Sequence, residues 1–157
     1  MKLYGYWRSS CTWRVRIAMA YKGLTWTDVP VHLVNNGGEQ HGEDHERRNP
    51  MGQVPVLMVN DGPCITQSMA ILEYLEERYP ERSLLPEDLE GRARARELAQ
   101  VINSGVQPLQ NLSLLQHLKA GWGIEPRAWA CQMIQRGLDA LEEMVKHTKS
   151  VFLVGDM

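Results

Sequence analysis

Hydrophobic and polar positions follow two rhythms along this chain, and the change falls near its middle. Lys2-Leu3-Tyr4-Gly5-Tyr6-Trp7 is a short aromatic run ahead of polar residues and predicts a strand. Ser9, Ser10 and Thr12 are hydroxyls suited to a helix start. A helix is expected from about Cys11 to Lys22, with Val15, Ile17, Ala18 and Met19 mostly inward and Gly23 as terminator. Trp26 to Val34 alternates like a second strand, and Asn35-Asn36-Gly37-Gly38 is a turn ahead of a polar stretch from Glu39 to Asn49.

Gln53-Val54-Pro55-Val56-Leu57-Met58-Val59 carries a proline inside an apolar strand pattern. Proline cannot donate to a central ladder, so Pro55 belongs at a strand's first residue, on an edge or in a cis turn. Asp61-Gly62 signals a hairpin returning through Cys64-Ile65. After Thr66-Gln67-Ser68, the residues Ala70, Ile71, Leu72, Tyr74 and Leu75 predict a helix ended by Pro80.

The prolines of 80–86 place a linker at 81–86 between a first domain, 1–80, and a second, 87–157. Beyond it the pattern is helical. Residues 87–118 form one helix or two, interrupted near Gly105 and Pro108, and Gly121-Trp122-Gly123 is a loop. Pro126 opens a last helix whose Ile134, Leu138, Leu141 and Val145 give it one buried face. The class is therefore α/β followed by all-α, and the first unit has the element order of a thioredoxin-like fold.

Composition narrows the function classes. With 157 residues, one ordinary domain or two small ones can bury a core without disulfides or metal. Seventeen basic and nineteen acidic residues give a net charge of -2, which disfavours nucleic acid as a partner. No apolar run reaches membrane-spanning length, and the N-terminus lacks the features of a signal peptide. Cys11, Cys64 and Cys131 form no CxxC pair, which fits reduced thiols in a cytoplasmic protein. Arg14 stands where a dithiol motif would have its second cysteine, so a protein-dithiol mechanism is disfavoured. His41 and His45 lack a third ligand at metal spacing and read as a solvated face, as does the run Glu73, Glu76, Glu77. The tryptophans and methionines read as core filling.

Three places could hold a ligand. Ser9-Ser10-Cys11, at a strand-to-helix junction, offers N–H groups and hydroxyls to a thiolate, though capping hydroxyls beside a buried cysteine explain the residues as well or better. Val54-Pro55 could present the Val54 backbone to an extended peptide, or be an edge proline with no partner. Gln67-Ser68 could hold a carboxylate at a helix start, or be a simple cap. Together, at one end of a thioredoxin-like sheet, they form the set that a short thiol peptide such as glutathione needs.

The run Ser9-Ser10-Cys11-Thr12-Trp13-Arg14-Val15-Arg16-Ile17-Ala18 strongly resembles the SSCxWRVRIA signature of zeta-class glutathione transferases, the maleylacetoacetate isomerases. Asn49-Pro50-Met51-Gly52-Gln53-Val54-Pro55, Gln67-Ser68 with Ala70-Ile71, and Gln107-Pro108-Leu109-Gln110-Asn111-Leu112-Ser113 resemble its other hallmarks, in the same order. The resemblance implies a thioredoxin-like domain binding glutathione, an all-helical domain for the second substrate, and a homodimer. It implies that Ser9 stabilises the glutathione thiolate with Ser10 and Cys11 beside it, and that Gln40 and Val54, next to Pro55, hold the peptide backbone. Gln67 and Ser68 would take the γ-glutamyl carboxylate, while Gln107, Asn111 and Ser113 would complete the site from the helical domain.

The implied reaction is cis-trans isomerisation of maleylacetoacetate to fumarylacetoacetate in tyrosine and phenylalanine breakdown. A thiol adds to the conjugated double bond, the resulting single bond rotates, and elimination returns the thiol. The alternatives are maleylpyruvate isomerisation, transfer to small α-halo acids, a non-catalytic glutathione-binding fragment, and glutaredoxin-like chemistry on Cys11. Family chains run several tens of residues past a Gly-Asp like Gly155-Asp156. Against that pattern the sequence is either a C-terminally truncated version or an incomplete stretch of the chain, with a helical domain short of its last helices and of an arginine expected to bind substrate carboxylate.

Overall fold

The computed structural model describes residues 1–155; Asp156 and Met157, the last positions of the expected second domain, lie outside the described residues. The chain divides into two compact units, Met1–Leu84 and Leu85–Met157.

The first unit runs β1 (Lys2–Gly5), α1 (Ser10–Tyr21), β2 (Thr27–Pro30), α2 (Glu43–Arg48), β3 (Val56–Met58), β4 (Cys64–Thr66) and α3 (Ser68–Arg78). The sheet order is β2-β1-β3-β4. β1 and β2 are parallel, because α1 crosses over between them, and β3 runs antiparallel to both β1 and β4. Alternation along the strands divides the apolar residues between two faces. Leu3 and Leu57 pack with Val15, Ala18 and Met19 of α1 and Ile71 and Leu75 of α3. Tyr4 and Val56 pack with Val31 on the opposite face.

Several expectations are corrected here. β2 ends at Pro30 rather than Val34, and the chain turns away after one more backbone bond, Val31 N–H to Gly5 C=O at 2.9 Å. The polar stretch expected after the turn contains a helix, α2. Ile17 is 64% exposed, since it lies off the face that Val15, Ala18 and Met19 share at helical spacing. In the β3–β4 turn the positive φ values belong to Asn60 (48°) and Asp61 (53°), one residue earlier than expected, because Asn and Asp tolerate the left-handed region. Trp7, Trp13 and Trp122 are exposed rather than core-filling.

Glu76 and His45 are buried, not solvated. Lys22 Nζ donates to Glu76 Oε2 at 2.8 Å and to the carbonyls of Tyr79 and Arg82 at 2.7 and 2.8 Å. Glu76 also accepts from Ser83 Oγ at 2.5 Å and from the Leu84 N–H at 2.9 Å. This network closes the C-terminal ends of α1 and α3 and fixes residues 79–84 against them. Burial pushes the Glu76 carboxyl up. Hydrogen bonds from Lys22, Ser83 and the Leu84 N–H, with the Lys22 charge, outweigh it and hold the group below its ordinary 4.5.

The second unit is helical, with α4 (Leu89–Asn103), a short turn over Gln107–Gln110, α5 (Leu112–Trp122) and α6 (Pro126–Val145). α5 continues through Gly121 and Trp122, which were expected in a loop, and stops at Gly123, whose φ is 64°. No residue of α6 is fully buried, and Leu138 is exposed. Its Ile134, Leu141 and Val145 are half-covered. Gly137 of α6 accepts the Val106 side chain so closely that a Cβ would overlap Val106 Cγ2. Trp129 Nε1 donates to the Leu109 carbonyl at 2.8 Å.

Candidate functional site

The strand directions bring three of the expected segments to one sheet edge. β1 ends at Gly5 and leads into Ser9; Val56, paired with Tyr4, begins β3 just after Val54-Pro55; and Thr66, paired with Val56, leads into Gln67-Ser68. α1 and α3 therefore both start at this edge. Each leaves backbone N–H groups of its first turn without an intrahelical partner and presents its positive dipole end there.

Ser9 is the N-cap of α1, with extended φ and ψ of -74° and 115°, and its Oγ accepts the Thr12 N–H at 3.2 Å. That bond uses an oxygen lone pair, so the hydroxyl proton stays available to donate to an anion. Ser10 is exposed and Cys11 half-buried on the same turn. Capping and thiolate stabilisation are thus compatible roles of one hydroxyl.

Val54 joins Pro55 through a cis peptide and lies outside the strand pairing, which begins at Val56. Its position is held by the residue before it. The Gln53 carbonyl accepts from Asn49 Nδ2 at 2.8 Å and lies 2.9 Å from His45 Nε2, and Asn49 Oδ1 accepts the Met51 N–H at 3.1 Å. Asn49 and His45, four apart at the end of α2, thereby clamp the Asn49–Pro55 segment. Gln40 is buried; its Nε2 donates weakly to the Leu33 carbonyl at 3.4 Å, while its Oε1 is a buried acceptor with no donor. Gly52 lies against the Gln40 carbonyl, which places Gln40 beside the Val54 segment.

Gln67 precedes α3 with φ 68° and ψ 115° and makes no side-chain cap bond, so the simple-cap reading does not describe it. A non-glycine residue in that region costs about 1–3 kcal/mol, a strain that clusters at ligand sites. Ser68 is buried, and its Oγ accepts from Arg14 Nη1 of α1 at 3.0 Å. In the second unit, Gln107 opens the short turn before α5. Asn111 caps α5, its Oδ1 accepting from the Leu114 N–H and from Ser113 Oγ, both at 2.9 Å.

The residues at the edge fit a small thiol peptide. Two serine hydroxyls each accept a fixed N–H and retain a proton for an anion. Two helix starts favour negative charge, and a buried amide oxygen lacks a donor that a peptide N–H would supply. Among the described residues, no cluster of three or more His, Cys, Asp or Glu could hold a metal, and no helix is long and apolar enough to cross a membrane.

Comparison with known proteins agrees with this chemistry. Residues 1–77 match the glutathione S-transferase N-terminal domain. Maleylacetoacetate isomerase of Rattus norvegicus is 48% identical over 155 residues, covering 98% of this chain and 69% of that protein. The chain belongs to the zeta-class glutathione transferases. A probable maleylacetoacetate isomerase of Drosophila melanogaster is 46% identical over 98% of the chain and 66% of its own length, so this zeta-class chain spans about two thirds of such relatives. A bacterial zeta-class maleylpyruvate isomerase superposes with a TM-score of 0.93 at 34% identity, covering all of this chain and 75% of that one. The maleylacetoacetate isomerase of Anaeromyxobacter dehalogenans, solved with glutathione in its active site, has a TM-score of 0.85 at 50% identity and covers 99% and 73%.

Arg14, Asn49 and His45, which bond to residues of the candidate site or its flanking segment, were not singled out from the sequence. The i, i+4 spacing of His45 to Asn49, the residue that opens Asn-Pro-Met-Gly, was an available signal for the clamp. Nothing in the sequence announced the Arg14–Ser68 bond, which joins residues 54 positions apart.

Proposed function

We propose that this protein isomerises maleylacetoacetate to fumarylacetoacetate with glutathione, as a cytoplasmic homodimer, with residues 1–80 as the glutathione-binding domain and 87–157 belonging to a helical domain. The observation that carries the reading is the meeting of a helix-capping Ser9, the unpaired Val54 backbone and the Ser68 hydroxyl at one sheet edge. Glutathione, when bound, supplies the thiol that adds to the conjugated double bond and leaves again. Ser9 donates its hydroxyl proton toward the sulfur, and the α1 start, with Ser10 and Cys11, favours the negative charge there. Val54 beside Pro55 offers its backbone N–H and C=O to an extended peptide, and Gln40 Oε1 accepts a peptide N–H. Gln67 and Ser68 hold the γ-glutamyl carboxylate at the α3 start. Gln107, Asn111 and Ser113 are assigned to ligand binding by the resemblance alone.

The test is maleylacetoacetate isomerisation by this chain with and without glutathione. Glutathione-dependent turnover is expected, with Ser9→Ala lowering it about 10²-fold while the circular dichroism spectrum stays unchanged. Full activity in Ser9→Ala would remove Ser9 from its role. The likeness to a maleylpyruvate isomerase favours a second reading, that maleylpyruvate is the better substrate, and kcat/KM on both compounds separates the two.

A further inference from the structure

We propose that Arg14 is a positioning residue for the carboxylate side of the site, acting through the Ser68 hydroxyl. The inference rests on the glutathione-binding reading above. A guanidinium has only donors, so in the 3.0 Å contact Arg14 Nη1 donates and Ser68 Oγ accepts. The direction restricts the serine's rotor, since the proton cannot point at Arg14. With Arg14 on one lone pair, the single hydroxyl proton points elsewhere, and the position best able to use it is an anion at the start of α3, where the first-turn N–H groups also converge. Ser68 is buried, so its rotamer is set by its surroundings, and the Arg14 bond narrows the directions left to its proton.

The same bond is a tie between elements. Arg14 sits one turn into α1, whose start carries Ser9 and Cys11, and Ser68 is the first residue of α3. The sheet brings both helix starts to one edge, and the Arg14–Ser68 bond joins them directly. An arginine does here what the second cysteine of a dithiol motif cannot, because it reaches from α1 to α3.

The experiment is a double-mutant cycle on glutathione binding, with Arg14→Met, Ser68→Ala and the pair, read by calorimetry beside thermal melts. Arg14→Met and Ser68→Ala are each expected to raise the glutathione Kd about tenfold. The double variant should fall within about twofold of the weaker single, because one interaction cannot be lost twice. Arg14→Lys, which keeps a donor and the charge, should recover most of the affinity and substitutes for Arg14→Met if that variant melts before binding can be read. The thiol pKa of bound glutathione, read from thiolate absorbance, should stay at the wild-type value in every variant. Multiplying losses in the double variant, no rescue by Arg14→Lys, or a raised thiol pKa would each overturn the proposal. A wild-type chain that fails to bind glutathione would instead overturn the functional reading on which it stands.

Discussion

The two units bury their side chains to different degrees. In the first, seven residues of a single cluster are at most 3% exposed, and a lysine–carboxylate pair is sealed behind them. In the second, Pro86, Leu98 and Val106 are the buried apolar residues among those described, and α5 and α6 contain none. The sheet explains the contrast. Two apolar faces covered by helices and loops create an interior, whereas amphipathic helices packed side by side cover only part of each stripe. The candidate site of the first unit thus stands on a well-packed support, as a site requiring fixed donors needs.

Removing one partner of the sealed pair should show the largest effect. Glu76→Ala leaves Lys22, whose side chain is 1% exposed, charged and uncompensated, and should destabilise the first unit by about 3–5 kcal/mol in urea unfolding. The pair also has a pH signature. Because the folded Glu76 carboxyl lies below its ordinary 4.5, its contribution is complete above that pH and is lost as pH falls through the lower folded value. Unfolding midpoints should therefore drop in acid for the wild type and drop less for Glu76→Gln. Equal acid sensitivity would mean that the pair does not set it.

Two glycines sharpen the comparison. A Cβ on Gly5 would strike Thr12 Cγ2, and one on Gly137 would strike Val106 Cγ2. Thr12 is 0% exposed inside a filled core, so Gly5→Ala should cost about 1–3 kcal/mol. Gly137→Ala should cost less, because the alanine adds about 1 kcal/mol of helix propensity to α6 that offsets part of the Val106 overlap. Urea melts that rank Gly137→Ala as the more damaging would contradict the contrast drawn between the units.

The sequence made the order of elements legible, because periodicity, Gly and Pro punctuation and capping hydroxyls are local signals. The three candidate ligand segments stood out for the same reason, each lying at an element junction that the structure brings to one end of the sheet. What stayed hidden depends on contacts distant in sequence. Glu76 looked like part of a solvated acidic run until Lys22 of α1 reached it, and His45 looked exposed until the Gln53 carbonyl lay against its ring. The left-handed φ of Gln67 could not be anticipated either, since glutamine gives no local hint of that conformation. Ile17 was misplaced because an apolar residue on a short helix does not reveal which face the sheet covers.

Residue-resolved amide hydrogen exchange of the chain with and without glutathione is the most direct test of where the thiol peptide sits. Exchange should slow most at the first turns of α1 and α3 and at Val54, all in the first unit. Unchanged exchange at those three places, or slowing concentrated elsewhere, would contradict a glutathione site built on this sheet edge.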